Sequence, residues 1–282
     1  MRCPLMLKKW LVLAGLLSPL APRAQNLPAV EERLAQLGRK MLQERAYADR
    51  KVALQGFETT LDSLMRHPEG YAAPLESVEN MLKLKGPKGD FRLFTWQMPD
   101  SAYTLKRYGM VVVAREDTVR ITHLQDALAS LRRPLTRAYG PEQWPGALYY
   151  KILPEGPQDG RYTLLGFAPG KPENRKIVEV LKLDAQGDVS FGAPLFRVEK
   201  LQNRVLQQPP QRLIFRYSGK RSATLHWNDK EGKVIMDHLA PPSPKLKGMY
   251  RRYGPNFTYD ALEWRNGWWR LEHDVEVEIL QK

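Results

Sequence analysis

A change in the spacing of apolar residues near residue 90 constrains the fold of this chain more than any other feature. Residues 85–90 (KGPKGD) combine glycine and proline in a way that ends regular structure. From Phe91 onward the side chains follow a period of two, which is typical of a β-strand. The segments that indicate strands begin there and continue at residues 110–114, 119–122, 147–153, 161–167, 175–183, 189–191, 212–217, 223–227, 233–238, 258–264 and 268–279.

Turn sequences such as Asp159-Gly160 and Asn266-Gly267 separate many of these segments. This pattern predicts a large antiparallel β meander, either a sandwich or a barrel-like sheet. Because no repeat of fixed length is present, a propeller is the less favoured alternative.

Before the break, the apolar residues follow the period of a helix. Val30, Leu34, Leu37 and Met41 lie at i, i+4, i+7 and i+11, which places them on one helical face. A second helix is predicted over residues 48–65, where a His-Pro pair ends it.

Shorter helices are expected over residues 73–82 and 123–138. The predicted class is therefore α+β, with a helical region at residues 25–85 followed by an antiparallel β-rich domain at residues 86–282.

Residues 1–24 have the composition of a signal peptide. Basic residues precede an apolar segment, residues 10–20, that is too short for a typical membrane span, and Ala24 offers a small residue for cleavage. Removing residues 1–24 leaves 40 basic and 31 acidic residues, a net charge of +9, and it also removes the single cysteine, Cys3. We therefore expect an exported protein with no disulfide, no thiolate metal ligand and no transmembrane span in the mature chain.

The positive charge is scattered as short pairs such as Arg132-Arg133 and Arg251-Arg252, without a long basic run. Together with export, this argues against a nucleic-acid partner. It favours attraction to an anionic surface of the cell envelope.

The best-defined local structure is a hairpin at Asn266-Gly267, the typical sequence of a type I′ turn. This turn sets the register of the two strands. The predicted opposite pairs are Arg265 with Trp268, Trp264 with Trp269, Glu263 with Arg270, Leu262 with Leu271, and Asp260 with His273.

Asp260 and His273 are the pair of chemical interest, since cross-strand neighbours have Cβ atoms about 5 Å apart. A carboxylate that orients an imidazole is half of a nucleophilic site. The mature chain, however, has no cysteine and no G-x-S-x-G sequence. We predict a structural Asp260–His273 pair and no catalytic residue.

Two further histidines, His226 and His238, bracket a second predicted hairpin. If Trp227 faces Lys233, His226 faces Val234 and His238 lies about 13 Å further along the strand. A shared metal ion needs ligand atoms about 2 Å away. The sequence therefore predicts no metal site, and it indicates no cofactor.

Aromatic residues near residues 241–268 form the predicted recognition surface. Exposed aromatic rings can stack on sugars, and the PPSP segment at residues 241–244 is semi-rigid. The predicted binding residues are Trp268, Tyr250, Tyr253, Tyr259, Lys245 and Lys247.

Several blocks of sequence occur together in a known group of proteins. With YTLLGF at 162–167, RLIFRYS at 212–218 and DHLAPPSPKLKGMYRRYGPNFTYDALEW at 237–264, the chain resembles a family of uncharacterised secreted proteins from Bacteroidetes-type bacteria. DFRLFTWQ at 90–97 and KIVEVLKLDAQGDVSFGAPLF at 176–196 are similar to further blocks of that family. The resemblance implies export and a β-rich body, and it carries no catalytic residues.

These observations favour a non-catalytic exported protein, periplasmic or extracellular, that binds another component of the cell envelope. The alternative is a carbohydrate-binding or carbohydrate-processing protein, with a polysaccharide as its partner. Processing would need paired carboxylates in a groove. Glu263 and Glu272 point away from Asp260 in the predicted register, so the sequence leans against an enzyme.

Overall fold

A computed structural model of the chain describes residues 26–115, 118–157 and 159–276. Within these ranges three α-helices are followed by sixteen strands and three short 3₁₀-helices, which confirms the predicted α+β class. The predicted signal peptide, residues 1–24, lies outside the described residues. None of the described helices is long and apolar enough to cross a membrane.

The helices are α1 (Leu27–Gln43), α2 (Tyr47–Met65) and α3 (Pro68–Ala72). The strands are β1 (Met81–Lys85), β2 (Phe91–Pro99), β3 (Leu105–Arg115), β4 (Thr118–Gln125), β5 (Leu148–Ile152), β6 (Arg161–Ala168), β7 (Glu173–Leu183), β8 (Val189–Phe191), β9 (Phe196–Arg197), β10 (Lys200–Leu201), β11 (Arg204–Val205), β12 (Leu213–Ser218), β13 (Leu225–Asn228), β14 (Lys233–Ala240), β15 (Gly254–Arg265) and β16 (Trp268–Val275).

The first two helices form where the apolar period predicts them, and they bury Leu34, Met41 and Phe57 against the first sheet. The helix predicted over residues 73–82 is wrong. Met81 begins strand β1 instead, which pairs along its whole length with β2. Because the partner strand supplies the backbone hydrogen bonds, local composition alone does not reveal this strand.

Strands β1 to β4 form an antiparallel meander that is covered on both faces. Phe94 and Trp96 pack against the helices, whereas Phe91 and Leu93 face the core of the other two sheets. This double covering explains why β2 is buried at every position from Phe91 to Trp96.

The helix predicted over residues 123–138 is also wrong. Strand β4 continues to Gln125, and turns follow it. Asp126 accepts a hydrogen bond from the backbone N–H of Leu128 and pairs with Arg107 at 2.7 Å. Arg133 adopts a left-handed φ of 58°. Such local side-chain bonds and the left-handed residue favour turns over a helix.

One polar contact joins the helical layer to the first sheet and should depend on pH. The hydrogen bond from His123 to the carboxylate of Asp62 in α2, 3.0 Å long, raises the pKa of His123 above its ordinary value of 6.5, while burial opposes the rise. The contact therefore stabilises the fold fully below the unfolded pKa and is lost as pH rises through the raised pKa. We expect His123→Gln to be more destabilising at about pH 5.5 than at about pH 8.5.

Urea unfolding of both proteins at the two pH values measures this difference. His67→Gln is the matched control, because His67 is exposed near the end of the same helix. A destabilisation by His123→Gln that grows with pH would contradict the assignment.

Two larger sheets share one apolar core with the first, and β10 and β11 form a separate two-stranded sheet. The second sheet has the order β12-β7-β6-β5, with β8 also paired to β7, and the third has the order β13-β14-β15-β16-β9. Strand β9 runs parallel to β16, so the third sheet is mixed rather than purely antiparallel. The indole N–H of Trp269 donates to Thr163 Oγ1 at 3.0 Å and ties the third sheet to the second.

Candidate functional site

Two β-bulges lie side by side in the third sheet. Between β14 and β15 one residue, His238, faces residues 256–258. Between β15 and β16 one residue, Asp260, faces both His273 and Asp274. Bulges bend a strand and redirect its side chains, and they are over-represented beside functional sites.

The predicted hairpin register is confirmed from the turn out to the pairing of Leu262 with Leu271. Beyond that point the second bulge replaces the simple opposition of Asp260 and His273 that the sequence predicts. The two side chains nevertheless meet, with Nδ1 of His273 2.9 Å from Oδ1 of Asp260. The predicted contact between Asp260 and His273 is therefore present, although a bulge rather than a regular cross-strand pair brings the two side chains together.

The bulges bring a third residue to this pair. Nδ1 of His238 lies 2.9 Å from Oδ1 and 3.0 Å from Oδ2 of Asp260. The imidazole rings of His238 and His273 stand at 82° to each other with centroids 5.6 Å apart. We call His238, Asp260 and His273 the histidine cluster.

The histidine cluster is electrostatically coupled. Asp260 is only 4% exposed, so its carboxylate depends on the two imidazoles for compensation of its charge. The hydrogen bond from His238 to the carboxylate of Asp260 raises the pKa of His238, burial opposes the rise, and the charges of Asp260 and Asp274 add to it. A protonated His238 is therefore well accommodated when no other cation is near Asp260.

The histidine cluster lines a cleft of about 390 Å³, which we call the histidine cleft. Lys200 and Lys247 contribute cationic groups to its lining, Asn203 contributes an amide, and Asp274 contributes one further carboxylate. A concave site with a few convergent polar groups is the usual setting for a small ligand.

The β10–β11 hairpin forms one wall of the histidine cleft, and its tip is held in place. The side-chain amide of Gln202 donates to the carbonyl of Arg216 at 2.8 Å, and it accepts from the N–H of Arg216 at 3.1 Å. Gln202 itself has a left-handed φ of 52°. The two hydrogen bonds offset the cost of that conformation, so the wall is preorganised.

The predicted binding residues separate in the structure. Lys247 and Tyr253 line the histidine cleft, although Tyr253 is buried. Tyr250 packs under Arg216, whose guanidinium carbon lies 4.3 Å from the ring centroid. Arg197 lies 5.0 Å over the ring of Trp268, which is half-buried. Lys245 and Tyr259 do not line the histidine cleft.

The predicted register of β13 and β14, the strands that carry His226 and His238, is wrong by one residue. His226 pairs with Ile235, and Trp227 pairs with Val234 rather than with Lys233. His226 is exposed and belongs to no metal-ligating group among the described residues. Sequence reasoning thus missed the partners of His238. The β14–β15 register would have revealed them, but no tight turn sets that register.

No protein-family model, no curated protein and no solved structure matches this chain. The resemblance to secreted bacterial proteins therefore stays a prediction.

The donor atoms of the histidine cluster fit a metal ion. One ligand atom from each of the three residues lies within 4.8 Å of the others. Ligand atoms about 2.1 Å from one tetrahedral zinc ion lie roughly 3.4 Å apart. The 2.9 Å Nδ1–Oδ1 contacts would have to open by about half an ångström, and a pair of ligand atoms near the 4.8 Å limit would have to close by about 1.4 Å.

Proposed function

We propose that this protein is an exported metal-dependent binding protein. It holds one divalent transition-metal ion through His238, Asp260 and His273, and the open positions of the ion bind a ligand in the histidine cleft. The observation that carries the proposal is the convergence of two imidazole nitrogens and one carboxylate oxygen within 4.8 Å.

The donor set favours zinc. Two imidazoles and one carboxylate leave a fourth position open on a tetrahedral ion, as in zinc sites that bind an exchangeable ligand. Non-haem iron(II) accepts the same three donors, so it is the ion with which zinc has to be compared. Hard cations such as magnesium prefer a shell of oxygen ligands and fit this set poorly.

The lining of the histidine cleft favours an anionic ligand. Lys200 and Lys247 contribute positive charge, and a bound divalent ion would add more. Asp274 offsets part of this charge without cancelling it. A ligand with a carboxylate or phosphate group could coordinate the ion and contact a lysine together.

Export remains part of this proposal. The expected signal peptide would bring the histidine cleft into the periplasm or outside the cell, where it would meet another envelope component. Sugar binding, the alternative, depends on the aromatic surface around Trp268, and Arg197 lies over that ring.

Zinc titration of the tag-free, chelator-treated protein tests the proposal. The wild-type protein is expected to bind one zinc ion per chain by isothermal titration calorimetry. His238→Ala and His273→Ala are each expected to weaken binding by more than about 100-fold, because even loss of an outer partner of a metal ligand costs about 10- to 100-fold.

His226→Ala is the matched control, since it removes an exposed histidine from the same sheet without touching the cluster. It is expected to bind zinc as the wild type does. Equal zinc affinity in all four proteins would overturn the proposal. Tighter binding of iron(II) than of zinc, measured under nitrogen, would mean that the proposed site is correct but that iron(II) is its ion.

A further inference from the structure

A second cleft is also lined by the β10–β11 hairpin. It has a volume of about 270 Å³, and Gln202 lines both clefts. Three arginines line it: Arg175 of β7, Arg204 of β11 and Arg216 of β12. We call it the arginine cleft.

Two of these arginines are direct neighbours across the sheet. Arg175 pairs with Arg216 in the register of β7 and β12. Like charges directly opposite each other on adjacent strands destabilise a sheet. Their side chains lie on the same face of the sheet, so the juxtaposition needs a compensating negative charge.

That compensation is incomplete within the described part of the chain. Glu173 contacts Arg216 at 2.6 Å, and Asp126 contacts the nearby Arg107 at 2.7 Å. Among the described residues, no carboxylate lies within ion-pair distance of Arg175 or Arg204. Arg175 is nevertheless half-buried.

The surroundings of Arg175 oppose its charge. Burial is the largest cause that lowers the pKa of Arg175, followed by the positive charges of Arg216 and Arg107, while the smaller effects of Glu173 and Asp126 raise it. A guanidinium stays charged in proteins, so this penalty remains in the folded state. An anion bound in the arginine cleft would relieve it.

Apart from Gln202 and Tyr250, the other residues that line the arginine cleft are apolar. Leu128, Leu131, Leu135, Leu201 and Ile214 form its walls. A guanidinium presents a planar fork of donors that matches the oxygens of a carboxylate or a phosphate. The combination of a cationic end and apolar walls suits a molecule with both an anionic head and an apolar part.

We propose that the arginine cleft binds a small amphipathic oxyanion, in which a carboxylate or phosphate head contacts Arg175, Arg204 and Arg216 and an apolar chain packs on the leucine-rich wall. The site is distinct from the histidine cluster, and it needs no metal ion. The same head-group chemistry occurs in free fatty-acid-like molecules and in anionic lipids.

Calorimetric titration with octyl phosphate and octanoate, below their micelle concentrations and with a chelator present, tests the proposal. Both probes are expected to bind with one site per chain, whereas the neutral octyl glucoside and inorganic phosphate are expected to bind far more weakly. Arg175→Gln is expected to weaken binding by about tenfold or more, because hydrogen bonds to charged groups are the strong ones.

Stability gives a second readout that separates binding from a structural role. Arg175→Gln removes one of two facing like charges, so the ligand-free variant is expected to melt at the same temperature as the wild type or higher. A variant that binds weakly and melts lower would mark Arg175 as a structural residue and overturn the proposal.

One control variant locates the site. Arg252→Gln removes an exposed arginine close to Tyr250 that does not line the arginine cleft. It is expected to bind octyl phosphate as the wild type does. Equal binding by the wild type and Arg175→Gln, or equal binding of octyl glucoside, would refute the proposal.

Vesicle sedimentation distinguishes the two sources of the ligand. Binding to phosphatidylglycerol vesicles but not to phosphatidylcholine vesicles, together with octyl phosphate binding, supports an anionic lipid head as the source. Octyl phosphate binding without vesicle binding supports a free amphipathic molecule. Vesicle binding without octyl phosphate binding would contradict entry into the arginine cleft.

Discussion

Replacing Arg212 with methionine is expected to lower the free energy of unfolding by about 3 to 5 kcal/mol, because it leaves a buried charge without its partner. Both side chains of the Arg212–Glu179 pair are 0% exposed, and Nε of Arg212 lies 2.6 Å from Oε2 of Glu179. Nη1 and Nη2 of Arg212 also donate to the carbonyls of Arg137 and Phe191 at 2.8 and 2.9 Å. The guanidinium thus satisfies the buried carboxylate of Glu179 and the buried carbonyl of Phe191.

The destabilisation by Arg212→Met should increase with pH. Burial raises the pKa of Glu179, and Arg212 opposes that rise. Without Arg212, the folded pKa of Glu179 should rise further above its unfolded value. Stability is then lost as pH rises from the unfolded pKa of about 4.3 towards the raised folded pKa.

Urea unfolding of the wild type, Arg212→Met and the double variant Glu179→Met/Arg212→Met measures both effects. The double variant should be more stable than Arg212→Met, because it buries no unpaired carboxylate. Arg132→Met, an exposed arginine in the neighbouring turn, should unfold as the wild type does. An unfolding midpoint of Arg212→Met equal to that of the wild type would contradict the assigned role.

The Arg212–Glu179 pair also supports one wall of the arginine cleft. Arg212 donates to the carbonyl of Pro134, and both Pro134 and Leu135 line that cleft. The buried pair therefore holds one of its walls, and Arg212→Met should weaken octyl phosphate binding as well as stability.

Asp260→Asn is expected to abolish the stabilisation of the protein by zinc. At free zinc of about 100 times the dissociation constant, binding to the native state adds about 2.7 kcal/mol to the free energy of unfolding, and at about 1,000 times it adds about 4.1 kcal/mol. Asparagine keeps the shape of Asp260 and one acceptor oxygen, but it removes the charge that attracts both imidazoles and the ion.

Thermal unfolding with zinc or with chelator measures this increment. Asp274→Asn is the matched control: Asp274 also lines the histidine cleft but is not one of the three converging ligands. Asp274→Asn should still gain the same free energy of unfolding from zinc as the wild type does. If Asp260→Asn kept this gain too, Asp260 would only orient the histidines, and the ion would bind without it.

Two parts of this fold could be read directly from the sequence. The spacing of Val30, Leu34 and Met41 predicted α1, and the Asn266-Gly267 turn predicted the β15–β16 register as far as Leu262 and Leu271. Both signals are local, because a helical face and a tight turn are each completed within a few residues of the chain.

The same local reasoning failed where a distant partner decided the structure. Residues 81–85 became a strand because β2 lies beside them, and residues 126–138 formed turns in which Asp126 pairs with the distant Arg107. The composition near residue 81 is compatible with a helix, and only the pairing with β2 makes this segment a strand.

The candidate sites belong to the tertiary structure alone. The β14–β15 connection, residues 241–253, is too long to set the register of the two strands. The two bulges then redirect the side chains. The contact between His238 and Asp260 therefore could not be derived from residue spacing. Arg175 and Arg216 lie on strands separated by four others in the chain, and only the order of the second sheet places them opposite each other. Local patterns were enough to predict α1, α2, the strand-rich class and the final hairpin as far as Leu262 and Leu271, since these depend on nearby residues in the chain. Which polar groups share a cleft was decided by long-range strand pairing, because that pairing reflects the packing of the whole core rather than any short pattern of residues.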